Sequence, residues 1–140
     1  MASAVLWVDD TPKNNSYLIE MLQKRGYRVD LATSTKDGLG KADQNSYRLI
    51  VSDMGRTEDG NYHGDAGIVL LEELNKRGSK VPFVVFCSSQ GVRRFRERVK
   101  ALGGRAITSS TTELRAVIDE IAPPGFNFDQ LQADLSAIAN

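Results

Sequence analysis

The stretch Ala4-Val5-Leu6-Trp7-Val8-Asp9-Asp10 decides how this chain is read. Five consecutive apolar residues fit a short strand covered on both faces, the situation of a strand inside a parallel sheet. The two acids that follow then fall at the carboxyl edge of the sheet, where open α/β sheets bind their ligands. After Thr11-Pro12, residues 14–25 place Tyr17, Leu18, Met21 and Leu22 on one helical stripe that stops at Gly26, so the strand is followed by an amphipathic helix with a glycine stop.

This strand and helix unit recurs four more times. Residues 27–32 read as a second strand, and Ser34 or Thr35 caps a helix to about residue 44. Residues 48–53 form a third apolar strand that again ends in an acid, Asp53. Residues 54–64 read as a long Gly- and Asp-containing loop. A helix over about 65–77 follows, with Ile68, Leu70, Leu71 and Leu74 as its buried side. Residues 81–87 are the fourth strand and 90–102 a helix with Arg93, Arg94, Arg96, Arg98 and Lys100 outward. Residues 105–107 are a short fifth strand, and Thr111 or Thr112 caps a last helix to Ile121.

Five such alternations predict an α/β fold, a doubly wound five-stranded parallel sheet in the order 2-1-3-4-5, because parallel neighbours need right-handed crossovers. Pro123-Pro124-Gly125 then breaks the chain, and Phe128, Leu131, Leu135 and Ile138 recur at helical spacing. The expected organisation is one domain over residues 1–122, then a break and an extra C-terminal helix within 123–140.

Composition narrows the functional classes. The 140 residues are 41% hydrophobic and 26% charged, which excludes disordered, collagen-like and coiled-coil chains. Lys plus Arg equals Asp plus Glu at 18 each, so the bulk positive charge that draws proteins to nucleic acid or membrane surfaces is missing. One cysteine, Cys87, and one histidine, His63, exclude an internal disulfide and a His-based metal site. No apolar run approaches the roughly 18 residues that span a bilayer, and the expectation is a cytoplasmic protein.

Asp9, Asp10 and Asp53 end the first and third strands, which are neighbours in the expected order. Three carboxylates converging in a water-accessible pocket repel one another and are best stabilised by a divalent cation. Hard oxygen ligands with room for water suit Mg²⁺.

At these residues the chain resembles the receiver domain of bacterial two-component response regulators, a flavodoxin-like fold. The resemblance covers about residues 4–121. It is carried by Leu6-Trp7-Val8-Asp9-Asp10, Leu49-Ile50-Val51-Ser52-Asp53-Met54, Gly67-Ile68-Val69-Leu70-Leu71, Pro82-Phe83-Val84-Val85-Phe86 and Gly103-Gly104-Arg105-Ala106-Ile107. It implies that Asp53 is the phosphoacceptor, attacking the phosphohistidine of a histidine kinase or phosphotransfer protein. It further implies that Asp10 binds Mg²⁺ directly, Asp9 mainly through water, and the backbone carbonyl of Gly55 completes the ligands. A homodimer would form through the face of the fourth helix, fifth strand and fifth helix.

Four positions depart from the family pattern. The hydroxyl residue expected at the end of the fourth strand falls on Cys87, a weak donor, and Ser88 beside it is the candidate phosphoryl contact. The Lys that ends the fifth strand is replaced by Ser110 within Thr108-Ser109-Ser110-Thr111, so the pocket lacks its usual cation. Arg56 and Arg105 are nearby candidates to replace it, though each reads most simply as a solvated surface charge. Gly67 comes about five residues late; the inserted stretch 56–64, with Glu58, Asp59, Asn61, Tyr62 and His63, sits at the pocket rim as a gate, a recognition loop or a tolerated insertion. Ile107 stands where the family carries a switch aromatic.

The leading expectation is a stand-alone receiver-like signalling protein of a phosphorelay that acts through protein contacts. The alternative is a degenerate receiver that docks proteins without phosphorylation. A small Mg²⁺-dependent phosphatase-type enzyme ranks lower. It would carry Asp-x-Asp, whereas adjacent Asp9 and Asp10 should point to opposite sides of an extended chain. A nucleotide-binding module is weaker still, since no Gly-rich phosphate loop follows the first strand.

Overall fold

Alternation along the strands sorts the apolar side chains into two cores, one on each side of the sheet. Every residue of β1 (Ala4–Val8) is buried. Ala4, Leu6 and Val8 enter one core, while Val5 and Trp7 enter the other. Strand β3 (Leu49–Ser52) divides in the same way, with Ile50 on the first side and Leu49 and Val51 on the second. Such two-sided burial is what a continuous apolar run predicts for a parallel strand.

The computed structural model describes residues 2–124 and 135–138. With β2 (Arg28–Ala32), β6 (Phe83–Phe86) and β7 (Ala106–Thr108), the main sheet runs β2-β1-β3-β6-β7, all parallel. This is the predicted doubly wound order. Helices α1 (Ser16–Lys24) and α5 (Thr111–Ile121) supply Leu18, Leu22, Leu114 and Ile118 to the core around Trp7. On the other face α2 (Thr35–Gln44), α3 (Ala66–Lys76) and α4 (Ser89–Ala101) supply Leu39, Leu70, Leu74 and Val99.

One local expectation is corrected. Ser110, not Thr111 or Thr112, caps α5, its Oγ accepting from the Glu113 N–H at 3.2 Å. At α2 the cap is Ser34, one of the two residues expected, which accepts from the Asp37 N–H at 3.0 Å. In both cases the side-chain oxygen satisfies a first-turn N–H that has no partner within its helix.

The larger correction concerns residues 54–64. Instead of a loop they carry an antiparallel hairpin, β4 (Arg56–Glu58) and β5 (Asn61–His63), in which Arg56 pairs with His63 and Glu58 with Asn61. The turn is Asp59-Gly60, with positive φ at both residues, 52° and 78°. Asp-Gly is the favoured dipeptide for a type I′ turn, whose twist matches that of the flanking strands. Because the hairpin returns the chain to where it left, Gly67 still reaches its place beneath the third strand. A Cβ there would lie 2.4 Å from the Asp53 carbonyl oxygen, and the Gly67 N–H donates to Met54 at 2.8 Å.

The expected C-terminal helix lies mostly outside the described residues. Residues 135–138 are helical and exposed.

Candidate functional site

The strand ends place the acids. β1 stops at Val8, and Asp9 still donates its N–H to Ala32 at 2.9 Å. Asp9 Oδ1 then accepts from the Thr11 N–H at 2.8 Å, and Oδ2 accepts from Asn15 Nδ2 at 2.8 Å. This Asx-type turn bends the chain out of the extended form. Asp9 and Asp10 therefore do not diverge, as two neighbours in a strand would. One oxygen from each of Asp9, Asp10 and Asp53 lies within 4.8 Å of the other two.

The electrostatics of the cluster call for a cation. Asp9 is 6% exposed. Burial pushes the Asp53 carboxyl up, the guanidinium of Arg56 pulls it down and the Asp9 charge pushes it up, and together they leave it raised to about 7. Oxygens sharing one Mg²⁺ at about 2.0–2.1 Å stand at most about 4.2 Å apart, so small movements close the three acids around such an ion. The residues present fit Mg²⁺.

Arg56, one of the two candidates to replace the missing lysine, is an interior residue. Its side chain is 0% exposed, not a solvated surface charge, and all five N–H groups are satisfied. Nη1 donates to Asp53 Oδ1 at 2.5 Å and to Ser52 Oγ at 2.9 Å. Nη2 donates to Thr35 Oγ1 at 2.8 Å and the Ala66 carbonyl at 3.1 Å, and Nε donates to Glu58 Oε1 at 2.9 Å. Glu58 also accepts from the N–H and hydroxyl of Thr35, at 2.7 and 2.9 Å, and these bonds hold its carboxyl below the usual range against the cost of burial. A buried arginine is tolerable only when paired and fully bonded, and here the hairpin, α2, α3 and β3 each supply an acceptor. Arg105, the other candidate cation, is half-exposed and paired with Glu120 instead.

A cavity of about 590 Å³ opens over Asp53, lined by Gly55, Tyr62, Cys87, Ser88 and Arg94 among others. Gly55 and Ser88 thus share a wall with Asp53. A Cβ on Gly55 would lie 2.0 Å from the Tyr62 hydroxyl, so glycine is what lets the hairpin tyrosine rest there. The Ser88 hydroxyl caps α4 by accepting from the Gly91 N–H at 3.1 Å. Its own proton remains available to a ligand. Cys87 sits at the strand end, donating its N–H to the Thr108 carbonyl at 3.1 Å, and burial, then the charge of Asp53, pushes its thiol up to about 11.

At the end of β7 the polar groups serve one another. Thr108 Oγ1 donates to Glu113 Oε2 at 2.6 Å and accepts from the Ser110 N–H at 3.0 Å. Ser110 brings no cation to the end of β7, whereas Arg94 of α4 lines the cavity over Asp53.

Fold, acid cluster and strand order together define a response-regulator type of module. The family model for the response regulator receiver domain matches residues 5–110, and the chain belongs to that family. A segment of 50 residues, 36% of this chain, is 40% identical to the transcriptional regulatory protein PcoR of Escherichia coli and spans 22% of that protein. Among solved structures, response regulator TrrA of Thermotoga maritima in complex with Mg²⁺ and beryllium fluoride superposes with a TM-score of 0.62 at 22% identity, covering 98% of both chains. A receiver domain of a Francisella response regulator gives a TM-score of 0.69 at 23% identity, over 86% of this chain and 96% of its own. At such identities the structures establish the fold alone. No described helix is long and apolar enough to cross a membrane.

Proposed function

We propose that this protein accepts a phosphoryl group on Asp53, from the phosphohistidine of a histidine kinase or phosphotransfer protein, in the presence of Mg²⁺. The observation that carries the reading is the convergence of Asp9, Asp10 and Asp53 within 4.8 Å. A carboxylate oxygen of Asp53 forms the new O–P bond while the P–N bond breaks, and the imidazole keeps the electron pair and takes up a proton. Asp10 and Asp9 would hold the ion, with the carbonyl of Gly55 as a further protein ligand. When bound, the ion neutralises charge on the phosphoryl oxygens and orients in-line attack. Ser88, with a proton free to donate, contacts the phosphoryl group from the α4 side.

The signal then passes on through protein contacts. We place the protein in the cytoplasm, as a module in a phosphorelay that acts without direct nucleic-acid or membrane binding. The face of α4, β7 and α5 is available to a second copy.

A second reading, a docking module that works without phosphorylation, is favoured by two observations. Ser110 supplies no cation, and Asp10 Oδ2 already accepts the Thr57 N–H at 2.8 Å.

Amide NMR with Mg²⁺ and then beryllium fluoride, a phosphoryl mimic, separates the two. Mg²⁺ shifts around Asp9, Asp10 and Asp53, with further fluoride-dependent shifts abolished in Asp53→Asn, support phosphoacceptance. Mg²⁺ binding without any beryllium fluoride response supports docking.

A further inference from the structure

The question left by Ser110 is what replaces the missing cation, and how a change at Asp53 leaves the pocket. Resting on the phosphoacceptor reading, we propose that Arg56 positions Asp53 from the opposite side of the pocket and relays its change of charge to α2 and the hairpin.

The geometry is that of a fixed fork. One amino group of Arg56 grips Asp53 Oδ1 at 2.5 Å, which orients the carboxylate and leaves Oδ2 facing Asp10, whose N–H lies 3.4 Å away. The remaining donors are tied to Ser52, Glu58, Thr35 and Ala66. No N–H is spare. Phosphorylation turns the anionic Oδ1 into a neutral acyl carbonyl and sets new anionic oxygens beside it. A charge-assisted bond is about twice as strong as a neutral one, so the guanidinium follows the negative charge. It cannot do so without shifting its bonds to Thr35, in the first turn of α2, and to Glu58, at the base of the hairpin.

Those two residues also line a second cavity of about 590 Å³ between α2, α3 and the hairpin, whose apolar wall includes Leu39 and Val69. The state of Asp53 is therefore written into the rim of that cleft. On the other side Thr108, Ser110 and Glu113 bond to one another, and none of the described hydrogen bonds joins them to Asp53 or Arg56.

The test uses the full chain with Mg²⁺ and beryllium fluoride, comparing wild type with Arg56→Lys and Arg56→Gln. In wild type the largest shifts outside the pocket should fall at Thr35, Glu58 and His63. Arg56→Gln should weaken beryllium fluoride binding about tenfold or more, as expected for loss of a charge-assisted bond. Arg56→Lys can restore the bond to Asp53 but not the five-pronged network, so affinity should recover while the shifts at Thr35 and Glu58 shrink. A merely structural role would not split affinity from relay in this way.

Wild-type shifts that run to Thr108, Ser110 and Glu113 while Thr35 and Glu58 stay still would overturn the proposal, as would unaltered binding in Arg56→Gln. The wild-type map needs no variant and decides even if Arg56→Gln fails to fold. Absence of any wild-type response to beryllium fluoride alongside normal Mg²⁺ shifts would remove the phosphoacceptor reading itself, and this inference with it.

Discussion

The two walls of the Asp53 pocket are built on different principles. On the hairpin side a fully buried arginine is bonded to five acceptors drawn from β3, β4, α2 and α3. On the α4 side, and at the end of β7 beyond it, short-range caps close on themselves, Ser88 with Gly91 and Ser110 with Glu113. The first wall is long-range and expensive to disturb. The second is local and forgiving, and the family's usual cation is missing from it. The difference teaches that a pocket can keep its acids and strand order while its positive charge comes from a different element of the chain.

The sharpest way to break this contrast is Arg56→Ala. It strands the partly buried carboxylates of Asp53 and Glu58 without their partner, and urea unfolding should show a loss of about 3–5 kcal/mol, the range for breaking a buried pair by removing one member. Ser110→Ala on the opposite wall removes one cap and should cost about 1 kcal/mol. Equal losses at the two positions would erase the distinction.

Gly67→Ala tests how closely the floor of the pocket is set. With a Cβ 2.4 Å from the Asp53 carbonyl oxygen, backbone must shift against backbone. A loss of roughly 1–3 kcal/mol is expected from this overpacking, together with weaker Mg²⁺ binding, because Asp53 moves with its own carbonyl. Calorimetry of unfolding and of Mg²⁺ binding measures both.

Ser110→Lys puts a second cation near the side of the pocket that Arg94 of α4 lines. Despite the lost cap, beryllium fluoride affinity should rise by about tenfold, equivalent to about 1.4 kcal/mol, less than the full value of a charge-assisted bond because the lysine must be ordered. No gain would mean that Arg56 and Arg94 already supply all the positive charge the site can use.

The smallest effect concerns Cys87. With its thiol pushed up to about 11, roughly one molecule in a thousand is thiolate at pH 8, and the thiolate is the reactive form. Alkylation should be far slower than for a free thiol at pH 8 and should accelerate as pH rises towards 11. Mg²⁺ neutralises the neighbouring Asp53 and should speed the reaction modestly at fixed pH.

Asp9, Asp10 and Asp53 were legible from sequence because each follows an apolar strand directly, and strand order alone brings their backbones side by side. Their convergence was less legible: alternation predicts that Asp9 and Asp10 diverge, and the turn closed by Thr11 and Asn15 reverses that. The hairpin had a readable signal in Asp59-Gly60, a turn dipeptide between short polar strands. It was hidden because Arg56-Thr57-Glu58 carries no apolar alternation. Exposed Asn61, Tyr62 and His63 give β5 no pattern either.

Sequence by itself determined the sheet, the two cores and the placing of the three acids at neighbouring strand ends, since local periodicity and the position of acids after apolar runs are properties of neighbours along the chain. Tertiary structure alone decided that Arg56 is an interior residue. A guanidinium leaves water only where enough acceptors converge to replace its hydration. Of those acceptors, Thr35 stands 21 positions away and Ala66 10, so no reading of the residues around Arg56 brings them together.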